Sequence, residues 1–249
     1  MKRKGIIFLM CFTFVLAVTG CGNEKKTEEK KIIEENVSDN QKSISKLDDE
    51  NFVLTKDNVV NLDDYQNIEE VLSQYEYAIS SKIDEMRQNS TSIVEAEILS
   101  VEYMSVEGFP ITKLVLKILT SLEGDLKENE QIELYKDGGY VPLKEFIEYF
   151  GDPTDVQNMT PEEIDATLLH YKFEDADPVV GEVAVYFLDK SERSFIPEGA
   201  YERVCGNYGV LKKTEEGKYR HHNMGSSETN REYDDLTLEE IKEEINNAN

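Results

Sequence analysis

The sequence predicts an α+β, mainly β domain: a five-stranded antiparallel barrel preceded by an amphipathic helix. A helical insert separates its third and fourth strands, and a short helix ends the chain. Three observations predict this. Apolar and polar residues alternate in separate short runs between Ile93 and His222. Helix-start signals fall between the third and fourth runs. With 13 Tyr, 10 Phe and no Trp, the chain has enough large apolar side chains for a modest core despite a mean hydropathy of −0.53.

The first element is an address. Met1-Lys2-Arg3-Lys4 precedes an apolar run from Gly5 to Val18, about 13–14 residues, which is the length of a secretory signal and short of the roughly 20 that span a bilayer. Val18-Thr19-Gly20-Cys21 resembles the lipobox of bacterial lipoproteins, an aliphatic residue and two small ones before cysteine. That resemblance implies removal of residues 1–20, diacylglyceryl attachment to Cys21 and an exported chain held on the extracytoplasmic face of the membrane. Two acyl chains, at about 0.8 kcal/mol per buried CH₂, anchor stably where one would not. The Lys/Glu/Asn/Ile-rich composition fits a Gram-positive source. Cys11 leaves with the signal and Cys21 is acylated, so Cys205 alone remains and no intrachain disulfide forms in the mature protein.

Residues 21–66 follow as a lipidated tether. Glu-Lys-Lys-Thr-Glu-Glu-Lys-Lys and Ser/Asp/Asn-rich stretches with single aliphatics bury too little apolar area to offset chain entropy. The domain is expected over 67–225. Asn67 and Glu70 fit an N-cap and its reciprocal acid. Ile68, Val71, Leu72, Tyr75, Ile79, Ile83 and Met86 then hold one helical face.

Strands come next. In Ile93–Tyr103, Val94, Ala96 and Ile98 share a face; after Leu99 the phase flips, which is what a β-bulge requires. Ile111–Thr120 alternates around Leu114, Leu116 and Ile118, and Gln131–Tyr135 runs into the turn signal Asp137-Gly138-Gly139. Leu143–Phe150 predicts a short helix. Thr160-Pro161-Glu162-Glu163 supplies N-cap, N1 proline and N3 acid for another, with Met159 and Ile164 as a hydrophobic staple, expected to run to about His170. Gly181–Lys190 is apolar on both faces, so it predicts the most buried strand. Cys205–Leu211 and Lys218–His222 form a last hairpin. An acidic tail, 226–249, closes with a helix from Thr237, with Glu240 as its capping partner.

Strand, strand, strand, helical insert, strand, strand is the order of the OB-fold, a five-stranded Greek-key barrel. Over roughly residues 70–222 the chain also resembles a recurrent secreted, mostly uncharacterised Gram-positive lipoprotein domain. The residues that carry this are Ile93-Val94-Glu95-Ala96-Glu97-Ile98, Leu116–Asp125, Gly181-Glu182 through Phe187-Leu188, and Gly206-Asn207-Tyr208-Gly209-Val210. These are packing and turn motifs: they bear on fold and not on activity.

Composition excludes one class of partner. With 27 Lys+Arg against 52 Asp+Glu the chain carries −25, and losing Lys2, Arg3 and Lys4 makes the mature form more acidic still. Such a surface repels nucleic acid. No catalytic residue is expected: the histidines are His170, His221 and His222, no Gly-x-Ser-x-Gly elbow occurs, and Cys205 beside Val204 reads as a small buried hydrophobe. No metal or other cofactor is expected either. His221 and His222 point to opposite faces of a strand, and Asp175-Ala176-Asp177-Pro178 is too short to make a calcium cage. Two Gly/Pro loops carry aromatics, at Gly138–Pro142 and Phe195–Tyr201. Tyr140, Phe195 and Tyr201 either stack on a sugar or peptide or cap the barrel ends as core residues. Two functions remain open: a lipid-anchored, non-catalytic module that binds a protein or cell-wall ligand, and an exported hydrolase with an unrecognised site.

Overall fold

A computed structural model of the chain describes residues 10–11, 53–74, 82–151, 156, 158–173, 177–204, 206–221 and 235–247. The protein is mainly β, organised by two antiparallel fifteen-residue strands, β3 (Ser92–Val106) and β4 (Phe109–Glu123). They reverse at Glu107-Gly108, both at positive φ. Gly108 is needed for space as well, because a Cβ there would run into the Glu145 carbonyl. The expected phase flip is present as a register shift between Ile98 and Ser100, so Val94, Ala96 and Ile98 stay inside while the strand bends.

β5 (Gln131–Asp137) pairs antiparallel with β4, and β8 (Val183–Lys190) pairs antiparallel with β3. A three-residue strand, β9 (Tyr201–Arg203), closes the sheet. It runs antiparallel to β8 from Leu188↔Arg203 to Lys190↔Tyr201, and parallel to β5 through Leu134↔Tyr201 and Tyr135↔Glu202. The ring is therefore β8-β3-β4-β5-β9 and back to β8. Its interior is filled by Val94, Ile98, Leu116, Ile118, Leu134 and Leu188 with their neighbours. Each fully buried aliphatic of this kind contributes about 1.5–3 kcal/mol. β8 is buried on both faces from Ala184 to Leu188, as its sequence predicts.

Outside the ring, β10 (Val210–Lys213) and β11 (Tyr219–His221) form a hairpin whose first strand pairs with β8 from Val210↔Tyr186 to Lys212↔Ala184. A second core lies on this side. Ile83 and Met86 of α1 (Ile83–Gln88) and Ile241 and Ile245 of α4 (Leu238–Asn247) pack there on Phe187 and Tyr219. Thr237 and Glu240 cap α4 reciprocally.

The segment between β5 and β8 builds a second, smaller sheet. β6 (Gly139–Pro142) pairs antiparallel with β7 (Thr167–Phe173), which pairs in parallel with β2 (Asn67–Gln74). β1 (Met10–Cys11) adds a two-residue parallel pair at the outer edge of β2. α2 (Leu143–Phe150) buries Leu143 and Phe146 against Val141 and Leu169, and partly buried Met159 and Ile164, just before and within α3 (Pro161–Asp165), pack on the same cluster.

Four expectations are corrected. The stretch from Asn67 is a strand and not the start of an amphipathic helix; pairing with β7 outweighs a stripe whose first member, Ile68, stays exposed. The helix opened by Thr160 stops at Asp165 and does not reach His170, because β-branched Thr167 starts β7. The barrel is not purely antiparallel, and its closing strand is β9, which the sequence placed in a loop, while the C-terminal hairpin stands outside the ring. Residues 53–66, expected within the tether, lie on the domain. Leu54 is 5% exposed and donates its N–H to the Phe195 carbonyl at 2.8 Å, and Val60 N–H meets the Tyr103 carbonyl at 2.7 Å.

Candidate functional site

The connection from β8 to β9, residues 191–200, crosses one end of the ring. Phe195, Ile196 and Ala200 bury there with Leu54, Met104, Phe109 and Ile111, so this loop is held by its own apolar side chains. One ion-paired cluster fixes its start. The Arg193 guanidinium joins Asp137 at the end of β5 and lies 2.8 Å from Glu202 on β9. It also stands 5.8 Å over the Phe195 ring. Ser191 Oγ donates to Glu202 at 2.7 Å and accepts the Arg193 backbone N–H at 3.2 Å. Arg193 thereby clasps β5 and β9 across the shortest pairing of the ring.

Beside this clasp opens a cleft of about 640 Å³ lined by Asp189, Lys190, Glu192, Arg193, Glu202 and Arg203. Those six side chains balance three cations against three acids, in a chain of net charge −25. The Arg193 charge is spent on Asp137 and Glu202. Lys190 and Glu192 are both exposed, and neither has an ion pair among the described residues. Burial pushes the Glu202 carboxyl above the usual carboxylate range; Arg193 and Ser191 oppose this, while Asp137 and Asp189 add to it. Lys190 and Glu192 are thus exposed charges of opposite sign on a lining whose Arg193 and Glu202 are held by the clasp.

A second polar cluster sits in the smaller sheet. Tyr140 of β6 stacks on His170 of β7, with centroids 4.0 Å apart and planes at 16°, and takes the Tyr103 ring edge-on at 4.7 Å. His170 is 2% exposed; its Nε2 is 2.8 Å from Asp177 Oδ1, and Nδ1 is 3.9 Å from Glu70 Oε1, which Lys172 Nζ meets at 3.0 Å. Burial raises the Asp177 carboxyl, but the His170 hydrogen bond and charge outweigh it and hold it below the usual range. Tyr103 is pushed up to about 12, first by burial and then by Asp177 and Tyr140. This cluster fastens the segment that follows β7 onto the sheet.

The three aromatics singled out in the sequence do not meet in one site. Tyr140 belongs to the His170 cluster. Phe195, 3% exposed, caps the ring end as a core residue, and half-buried Tyr201 packs on the ring interior. Phe195 and Tyr201 do belong to the segment that borders the cleft. Cys21, Cys205, His222 and Asp175 lie outside the described residues. His221 is buried on β11. Among the described residues no three His, Cys, Asp or Glu side chains converge as a metal site, and no helix is long and apolar enough to cross a membrane. Sequence reasoning missed Lys190, Arg193, Glu202 and Arg203. Their one signal is that three of the chain's scarce cations, Lys190, Arg193 and Arg203, lie in or beside a single loop. No protein-family model and no curated protein sequence matches this chain.

Proposed function

We propose that this chain is a lipid-anchored extracytoplasmic module that binds a ligand in the cleft beside the Arg193 clasp and performs no chemistry on it. Its ring is read as an OB-like barrel: three consecutive strands form a meander, a long insert precedes the fourth, and a fifth closes the sheet. Barrels of that kind take ligands on a strand face and at the loops of one end, and the 191–200 loop and its cleft are at such an end.

The cleft is the observation that carries the binding reading. It is an open cleft of about 640 Å³, and ion pairs already fix Arg193 and Glu202 in its lining, so ordering those two side chains costs a ligand little. The N-terminal segment supports the address, since a basic start, an apolar run and Val18-Thr19-Gly20-Cys21 together match a lipoprotein signal.

Each half has its own test. Tritiated palmitate should label the wild-type chain in cells and not Cys21→Ala; undiminished labelling of the variant contradicts the anchor. Ligand capture by the full chain from intact cells should fall at least tenfold with Lys190→Glu, which inverts the exposed charge at the cleft mouth. Unchanged capture contradicts the site.

A further inference from the structure

We infer that the outer edge of β2 is a docking strand for an extended, lysine-rich segment of another protein, which joins the smaller sheet by backbone pairing.

β2 borders the smaller sheet. On one side it pairs with β7 in unbroken parallel register from Asn67↔Thr167 to Ser73↔Phe173. On the other side, among the described residues, only β1 reaches it, and only at Met10↔Ser73 and Cys11↔Gln74. The Asn67 N–H donates to the Ala166 carbonyl, immediately before β7, at 3.2 Å. Backbone groups alternate sides along a strand, so the N–H and C=O of Ile68 and Glu70 turn outward. A row of open donors and acceptors is a template for an added strand. β1 demonstrates that this edge accepts one, since two residues of the chain already pair there. Those two residues fall in the expected signal, and Ile68 and Glu70 are open to the outside whether or not it is cut away. The corresponding border of the larger sheet is occupied: Tyr219 of β11 exchanges backbone bonds with Leu236 at 2.7 and 3.1 Å.

The edge also selects its occupant. β2 has no proline, no lysine and no bulge, the features that usually blunt an edge. It has acids instead. Asp63, Asp64, Glu69 and Glu70 fall within residues 63–70; among the described residues the first three have no ion pair, and Glu70 meets Lys172 Nζ at 3.0 Å. A second copy of this chain would set those acids against their own kind, on top of a net charge of −25. A strand carrying lysines gains where the second copy loses. Ile68, 55% exposed and on the same face as Glu70, adds a place for an aliphatic side chain beside a cation. The partner is therefore an extended segment that mixes lysine with aliphatic residues.

The test is equilibrium dialysis of the full-length chain in detergent micelles against acetyl-Lys-Val-Lys-Lys-Val-Lys-amide. Two comparison peptides are used: the same sequence N-methylated at alternate residues, which keeps the charge and cannot pair, and its counterpart with Glu for Lys. The first peptide should bind saturably at one site per chain, and each comparison peptide at least tenfold more weakly. On binding, amide exchange at Ile68 and Glu70 should slow at least tenfold, while Asn67, already bonded to Ala166, changes little. Ile68→Pro deletes one outward N–H and should weaken binding at least fivefold; Ile68→Thr keeps it and should stay within about twofold. Damage to the fold by Ile68→Pro would show as lost protection at Leu168 and Leu169, and the wild-type exchange pattern decides the matter without that variant. Lys190→Glu should leave this binding unchanged, so the edge and the cleft are tested separately. Equal binding of the N-methylated peptide would reduce the effect to attraction by an acidic surface and overturns the proposal. So does the absence of saturable binding, or slowed exchange confined to residues 190–203. Protection of Ile68 and Glu70 in a dimer without peptide, seen by sedimentation equilibrium, would make a second copy the occupant and overturns it as well.

Discussion

Replacing Glu95 with glutamine should loosen the outer hairpin from the ring by about 2–3 kcal/mol. Glu95 lies on β3, and its side chain is 7% exposed. The carboxylate accepts from the buried Tyr219 hydroxyl on β11, from Thr120 Oγ1 at 3.0 Å and from Lys213 Nζ at 3.0 Å. Hydrogen bonds to a charged group contribute about 1.5–3 kcal/mol each. Glutamine keeps the shape and one acceptor oxygen, so part of this survives. The Lys213 contribution is small, under about 1 kcal/mol, because that ammonium is 38% exposed and regains water. Burial favours the neutral acid, yet the bonds from Tyr219, Lys213 and Thr120 and the Lys213 charge hold the Glu95 pKa below 4.5. The ionised form therefore stabilises the fold in full above that value, and the contribution drains away as pH falls through the lower folded pKa. Urea unfolding followed by circular dichroism should show the variant less stable by about 2–3 kcal/mol at pH 7 and by clearly less at pH 3. A gap below about 0.5 kcal/mol at pH 7, or one as large at pH 3, refutes this account of Glu95.

Gly139→Ala should cost more than about 2 kcal/mol, because φ is +117° and the new Cβ would stand 2.5 Å from Thr112 Oγ1 and 2.8 Å from Tyr103; thermal unfolding reads it, and an unchanged midpoint contradicts it. Arg193→Ala should release β9 from β5 without unfolding the ring. Amide exchange at Glu202 and Arg203 is expected to quicken about fivefold to tenfold while Ile98 and Leu116 keep their protection, and equal acceleration everywhere would contradict the local clasp.

Much of this architecture is written locally. The bulge after Ile98, the limits of α2 and the reciprocal cap of Thr160 and Glu163 follow from nearest neighbours and turn chemistry, and all stand in the structure. What was hidden depends on partners far along the chain. Ile68, Val71 and Leu72 fit a helical stripe, and only Leu168, Leu169 and His170, about a hundred residues on, make Asn67–Gln74 a strand. Tyr201–Arg203 is too short to alternate. Single aliphatics such as Leu54 look too sparse to fold, yet they bury readily on a core that the ring has already formed. The candidate site was less legible still. Asp137, Arg193 and Glu202 come together only through ring closure, and in a chain with 52 acids no spacing of charges marks them out.

The most direct measurement is photocrosslinking in intact cells with benzoylphenylalanine placed at Ser194, on the cleft, or at Glu215, on the exposed turn between β10 and β11. An adduct of defined mass from position 194, absent from 215 and lost when Lys190→Glu is added, is the predicted result. Adducts from both positions alike, or from 215 alone, would contradict the cleft as the place where this protein meets its ligand.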